Sequence, residues 1–308
     1  MPLESRAHER KLPPVCYANA GDLVLLISPE RKRYLIRLVP GSKWYSHRGS
    51  IAHDDIIGQP LGRTLRTEHG FAYLALEPST SDLLAELPRT TQIIYPKDAA
   101  QIVMRLNLYP GRTVIEAGTG SAGLTIVLAR ATMPTGHVFS YETRPDSFET
   151  AYSNVNDLDL LPNVTLRNED VSNGFHEKDV DACFLDMREP WRFLDHVWNS
   201  LKGSGFFGAL VPTTNQVSEL VSGLQALPFG DISVEEVMVR GYKPVPARLR
   251  PEDRMIAHSG FLIFARKIAR DDESLTWIPD KKRRQFLGKQ AMLAREAAAE
   301  EAELNPEE

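Results

Sequence analysis

The sequence predicts a doubly wound α/β domain on a seven-stranded sheet, preceded by a small all-β domain. Three observations carry this. From residue 113 onward, short β-branched and apolar runs alternate with helix-favouring segments. One of these runs opens through Gly118, Gly120 and Gly123 into an apolar helix. Before residue 80 the runs are short and strand-like, with no helical segment between them.

The elements follow in order. Asp22 to Ser28 and Arg33 to Val39 flank Pro29-Glu-Arg-Lys32, and Tyr34, Ile36 and Leu38 alternate with Leu35 and Arg37, which predicts a hairpin. Further runs near Trp44, Arg63 to Thr67 and Phe71 to Leu76 complete a β domain over residues 1–80. Pro78 to Ser81 starts a short helix, Leu83 to Leu87, that leads into the larger domain, residues 81–268. There the strands are Thr113 to Ala117, His137 to Tyr141, Asn163 to Arg167, Val180 to Asp186, Gly205 to Val211, Ile232 to Arg240 and Gly260 to Arg266. Helices run from the glycines to Arg130, from Pro145 to Asn156, Trp191 to Leu201 and Asn215 to Leu227. The last two strands have no helix between them, so an antiparallel hairpin should close an otherwise parallel sheet. Residues 269–308, with Lys281-Lys-Arg-Arg284 and an Ala-Glu-rich stretch from Ala291 to Glu303, read as a charged tail, helical or disordered.

Composition bounds the function. Of 308 residues, 42% are hydrophobic and 25% charged, ordinary for a globular protein. No apolar run reaches the roughly eighteen residues of a membrane span, and no charged-then-apolar leader is visible, so no membrane partner is expected. Cys16 and Cys183 are too few for a disulfide framework, which points to a reducing, cytoplasmic compartment. The histidines show no paired ligand spacing; His47 and His53, in a polar loop, read as surface or hydrogen-bonded groups, and no metal is expected. The net charge of −5 conceals an asymmetry, because residues 1–70 hold eleven Lys or Arg against seven Asp or Glu. Arg31, Lys32, Arg33 and Arg37 make a local basic surface there, suited to a polyanion or simply to solvent.

The segment from Thr113 to Thr125 carries the chemistry. Its glycines suit a tight turn and a helix start whose free N–H groups meet a polar ligand. That pattern also serves dinucleotide binders. Glu116, two residues before Gly118, would repel a pyrophosphate but tolerate a cation, and Glu142, after the next strand, can accept both hydroxyls of a ribose. Glu116 therefore favours S-adenosyl-L-methionine over NAD, and the terminal hairpin agrees.

Further segments sharpen this. Tyr95-Pro-Lys-Asp-Ala99, Glu116-Ala-Gly-Thr-Gly-Ser121, Ser140-Tyr-Glu142, Asp186 with Pro190-Trp191, and His47-Arg-Gly-Ser-Ile-Ala-His53 occur in an order that resembles the tRNA (adenine-58-N1)-methyltransferase family over roughly residues 20–266. The resemblance implies a Rossmann-like class I methyltransferase fold, S-adenosyl-L-methionine as cofactor and tRNA as substrate. It also implies a homo-oligomer, tetrameric in prokaryotic members, whereas eukaryotic members need a second, non-catalytic subunit. Carried over by residue, Gly118, Ser121, Gly123 and Leu124 cradle the methionine end, Glu142 takes the ribose and Asp170 the adenine edge, and Glu116, Gly120 and Ala122 belong to the same cofactor-binding set. Asp186 orients the target adenine and stabilises the charge that N1 acquires, with Tyr95, Trp191 and His258 on the substrate side. Departures from the family pattern are Ala122 in place of a further glycine, Thr213-Thr-Asn215, and His258-Ser-Gly260. Two other readings stand beside this one: a nicotinamide-dependent oxidoreductase, opposed by Glu116 and the hairpin, and a non-catalytic RNA-binding subunit, opposed by the intact glycines and Asp186.

Overall fold

A computed structural model describes residues 16–269. The chain divides into two compact units, one ending at Leu87 and one beginning at Pro88. The charged tail lies outside the described residues.

The first unit contains β1 (Leu23–Ile27), β2 (Arg33–Arg37), β3 (Lys43–Ser46), β4 (Gly49–Ala52), β5 (Arg63–Arg66), β6 (Ala72–Leu76) and helix α1 (Thr80–Ala85). β1 and β2 form the expected hairpin, and an antiparallel sheet runs β2-β1-β6-β5. The His47 to His53 stretch differs from a polar loop. Gly49–Ala52 pairs with Lys43–Ser46 as a ribbon, Ile51 is buried, and His53 Nδ1 accepts the Val39 N–H at 2.9 Å. Tyr34, Trp44 and Tyr73 pack with ring centroids 5.0–6.3 Å apart over the apolar face. α1 starts at a Ser79–Asp82 capping box, which satisfies two otherwise free N–H groups. On the basic surface, Arg33 is paired with Asp82 and Arg48 with Glu30.

In the second unit, α2 (Pro96–Arg105) precedes β7 (Thr113–Ala117), α3 (Gly123–Thr132), β8 (His137–Tyr141), α4 (Pro145–Asp157), β9 (Val164–Arg167) and β10 (Val180–Leu185). Then come α5 (Leu194–Ser200), β11 (Leu201–Val211), α6 (Thr214–Ala226), β12 (Phe229–Glu235), the short strands β13 (Tyr242–Lys243) and β14 (Arg250–Pro251), and β15 (Phe261–Lys267). The seven-stranded sheet has the order β12-β15-β11-β10-β7-β8-β9. All its pairs are parallel except the two that β15 makes with β11 and β12. Every residue of β10 is buried, as a central strand covered by helices on both faces requires.

This order places β8 on one side of β7 and β10 on the other. The winding reverses between β7 and β10, and open α/β sheets bind ligands at that reversal, beyond the carboxyl ends of the strands. Glu116 and Asp186 sit at those two ends. At the opposite end of the sheet, Asp181 accepts the Thr113 N–H at 2.8 Å and pairs with Arg112 and Lys202, tying β10 to β7 and β11.

Candidate active site

Beyond the ends of β7, β8 and β10 opens a cavity of about 760 Å³, lined by Glu116, Gly118, Gly120, Gly123, Leu124 and Glu142 and by Asp186. A smaller cavity of about 210 Å³ adjoins it, walled by Tyr95, Asp98, Leu210, Pro212 and Ser259. Asp186 lines both, together with Gln92, Ile93 and Ile94.

The glycines serve the protein's own packing. Gly118 has φ +96°, and a Cβ there would stand 2.0 Å from the backbone oxygen of Asp186; at Gly123 a Cβ would meet Ile93 at 2.9 Å. The loop they form is held from outside. Ser121 Oγ accepts the N–H groups of Thr90 and Thr91 at 3.1 and 3.3 Å, and Asn154 Nδ2 donates to the Ser121 carbonyl at 2.9 Å. Ser121 and Ala122 are thus buried supports of the loop and do not line the cavity. Ala122 adopts the left-handed φ of 64° at the start of α3, the conformation a glycine would take more freely.

Glu116 is only 1% exposed, and its carboxylate is engaged within the fold: Oε2 accepts from Thr125 Oγ1 at 2.6 Å and Ser140 Oγ at 2.7 Å. Burial pushes its carboxyl up to about 7 against those two donors. Glu142 accepts the N–H of Gly120 at 2.8 Å and of Arg144 at 2.9 Å, one on each oxygen, which fixes the carboxylate at the cavity wall with lone pairs to spare. Asp186 is different. Its N–H is held by Ala117 O at 2.9 Å, yet no side-chain hydrogen bond to its carboxylate is found among the described residues. Burial, with no donor to offset it, raises its carboxyl to about 6.

Three expected residues stand elsewhere. Asp170 is exposed and caps the 3₁₀ turn Val171–Asn173 by accepting the Ser172 N–H at 2.8 Å, so its neighbours Glu169 and Val171 line the cavity instead. Trp191 packs against the core beneath α5 and α6. His258 lies outside both cavities, with Nδ1 2.8 Å from Glu236 Oε1 and Nε2 3.1 Å from the Pro212 carbonyl. Acceptors on both ring nitrogens favour the imidazolium, and the Glu236 carboxylate, then the Pro212 carbonyl, raise its pKa. Residues 92–94, Glu169 and Ser259 line the cavities without having been singled out from sequence. Among the described residues no cluster suited to a metal ion exists, and no helix is long and apolar enough to cross a membrane.

Known proteins share the sequence pattern and the fold. A family model described as the tRNA methyltransferase complex GCD14 subunit matches residues 70–249, and one described as TrmI-like N-terminal matches residues 18–65. The chain belongs to the tRNA (adenine-58-N1)-methyltransferase family. Among curated members, the tRNA (adenine(58)-N(1))-methyltransferase TrmI of Thermus thermophilus is 34% identical over 79% of this chain and 96% of its own length. Of solved structures, a SAM-dependent O-methyltransferase from Thermotoga maritima superposes with a TM-score of 0.76 at 43% identity, covering 83% of this chain and 96% of that one. The TrmI of Aquifex aeolicus superposes with a TM-score of 0.71 at 34% identity, covering 82% of this chain and 100% of its own. Family membership and these folds agree with the seven-stranded methyltransferase sheet and exclude a dinucleotide oxidoreductase as the favoured reading.

Proposed function

We propose that this chain methylates N1 of adenosine 58 in tRNA, using S-adenosyl-L-methionine. The observation that carries the reading is the place of Asp186, the one titratable side chain that lines both cavities. Two ligands that must exchange a small group need adjoining pockets with a shared wall, and a partly desolvated carboxylate without a protein donor needs one from outside.

The residues present fit a cationic cofactor. Glu116, Glu142 and Asp186 line the larger cavity, which Arg144, paired with Asp146, and Arg188 line as well; the acids gathered at the glycine loop would oppose a pyrophosphate there. Gly118 and Leu124, with Glu116 beneath, would hold the methionine end, Glu142 the ribose hydroxyls, and Glu169 with Val171 the adenine end. When bound, S-adenosyl-L-methionine supplies an electrophilic methyl on a positively charged sulfur. The protein's own part is placement. Adenine N1 attacks with its lone pair and is not protonated at neutral pH, so no strong base is needed. Asp186, ionised above about 6, accepts the exocyclic amine of the target base, turns N1 toward the larger cavity, and stabilises the positive charge that N1 gains. Tyr95 offers a ring to the base in the smaller cavity. A base within folded RNA must be unstacked to enter, at a cost of a few kcal/mol.

Two further parts of the reading concern setting. Free Cys16 and Cys183 support a reducing, cytoplasmic site of action. Exposed Met238, Val239, Tyr242 and Leu249 support association with further copies. Nucleoside mass spectrometry of tRNA incubated with the purified chain and labelled cofactor tests the function: 1-methyladenosine at position 58 is expected. Label found only as a ribose methyl, or no label on tRNA, would overturn it.

A further inference from the structure

Beside the smaller cavity lies a charged cluster that the proposed chemistry does not use. Asp98, 1% exposed, and Lys97, 9% exposed by its side chain, pair at 2.9 Å. Lys97 Nζ also donates to Val237 O at 2.7 Å and to Ser259 Oγ at 2.5 Å, and Ser259 Oγ in turn donates to Asp98 Oδ2 at 2.6 Å. With Asp98 Oδ2 at 3.1 Å, four oxygens share the three ammonium protons. Ammonium, hydroxyl and carboxylate thus close a ring of hydrogen bonds in which each group's polarity is satisfied.

The ring joins three stretches that are far apart in sequence: the first turn of α2, the stretch just past β12 at Val237, and the residue before Gly260 and β15. Two of its members, Asp98 and Ser259, line the smaller cavity, whereas Lys97 does not. His258 anchors the same stretch from the other side, through Glu236 and through Pro212, itself a cavity residue. A buried ion pair adds little stability over apolar packing, because desolvation consumes most of its attraction, and its best-attested use is to hold one arrangement among several.

Resting on the reading of the smaller cavity as the acceptor-base pocket, we infer that Lys97 is a positioning residue that sets the separation between the Asp98 and Ser259 walls, and thereby the placement of the base against Asp186. Lys97 touches neither ligand. It acts by neutralising Asp98 and by orienting the Ser259 hydroxyl.

The full-length chain tests this through Lys97→Met, Asp98→Asn, the double variant and Ser259→Ala. Each is assayed for single-turnover methylation of tRNA at saturating tRNA and cofactor, and for calorimetric affinity for S-adenosylhomocysteine. Lys97→Met leaves a buried carboxylate uncompensated. It should slow transfer at least tenfold while cofactor-product affinity stays within twofold. Adding Asp98→Asn removes that carboxylate charge and should restore at least threefold of the rate, which a merely destabilised fold would not do. Ser259→Ala, the mildest change, should slow transfer at least threefold and serves where Lys97→Met does not yield folded protein. A parent-like rate in folded Lys97→Met or in Ser259→Ala would overturn the inference, as would a loss that the double variant does not relieve. Failure of the underlying reading shows separately, as absence of 1-methyladenosine with the parent chain.

Discussion

Replacing Asp186 by Asn separates activity from stability, because the structure makes the two move in opposite directions. The change keeps the shape and removes the charge. No donor within the described protein is left unsatisfied by it, since no side-chain hydrogen bond to this carboxylate is found. The carboxyl sits at about 6 in the fold against an ordinary value of 3.8, so keeping it ionised costs up to roughly 3 kcal/mol. The sign follows from the raised folded value. Below about pH 4 the acid is neutral in both states and the cost vanishes, and it grows as pH rises through the interval to about 6. Asp186→Asn should therefore melt at the same temperature as the parent or higher, with an advantage that is larger at pH 8 than at pH 5. Turnover should fall by roughly 10²-fold or more, the usual cost of one preorganised electrostatic partner, with cofactor affinity little changed. Thermal unfolding at the two pH values and methyl transfer at saturating cofactor read both halves. A variant within a few-fold of the parent rate would remove Asp186 from the mechanism, and one destabilised equally at both pH values would refute the reading of its environment.

Gly118→Ala places a Cβ 2.0 Å from the Asp186 carbonyl at a φ of +96°; it should cost roughly 3 kcal/mol or more of stability and lower both cofactor affinity and turnover, and parent-like calorimetry and melting would refute the close contact. Asp181→Ala removes a carboxylate that burial pushes up but that Lys202, the Thr113 amide and Arg112 hold at about 2. Because that value lies below the ordinary one, its contribution is present above about pH 4 and lost as pH falls toward about 2. At pH 7 the variant should unfold in urea with about 1–3 kcal/mol less stability, the range for charged hydrogen bonds discounted for the part-exposed Lys202, a gap that narrows on acidification. Charge reversal at Arg31 should weaken tRNA binding and flatten its salt dependence, as measured by titration at several salt concentrations; an unchanged slope would return it to a solvated surface. Arg33→Glu is the less clean probe, since it also breaks the pair with Asp82.

Much of this was legible in the sequence wherever the signal is local. Thr113 to Ala117 and His137 to Tyr141 read as strands because β-branched and apolar residues are bounded by turn chemistry, and the structure has the same limits. Helix α2 was missed. Pro96 opens it with Asp98 in the first turn, but Tyr95 provides no side-chain cap, the helix is only ten residues long, and Asp98 puts a carboxylate on the buried face beside Ala99 and Ile102, which hides the apolar stripe. β4, Gly-Ser-Ile-Ala, lacks strand propensity and forms because Lys43–Ser46 pairs with it. The site shows the same limit. Glu116 was found by its position, but the two hydroxyls that occupy it, from Thr125 and Ser140, lie on α3 and β8, and no spacing announces them. Asp98 and Ser259 are 161 residues apart and meet only through the sheet order. Asp170 and Glu169 are adjacent loop acids, and it takes the folded turn to show that Asp170 caps it while Glu169 lines the cavity.

The contact between Gly118 and Asp186 has a consequence for how this protein can vary. The space a side chain would take at Gly118 is filled by the backbone of Asp186, and Asp186 N–H is held by Ala117, the residue before that glycine. The glycine loop and the strand end that carries Asp186 form a joint without slack. Retuning the loop for another nucleotide, by selection or by engineering, therefore also moves the acid, so cofactor choice and acceptor alignment should change together or not at all.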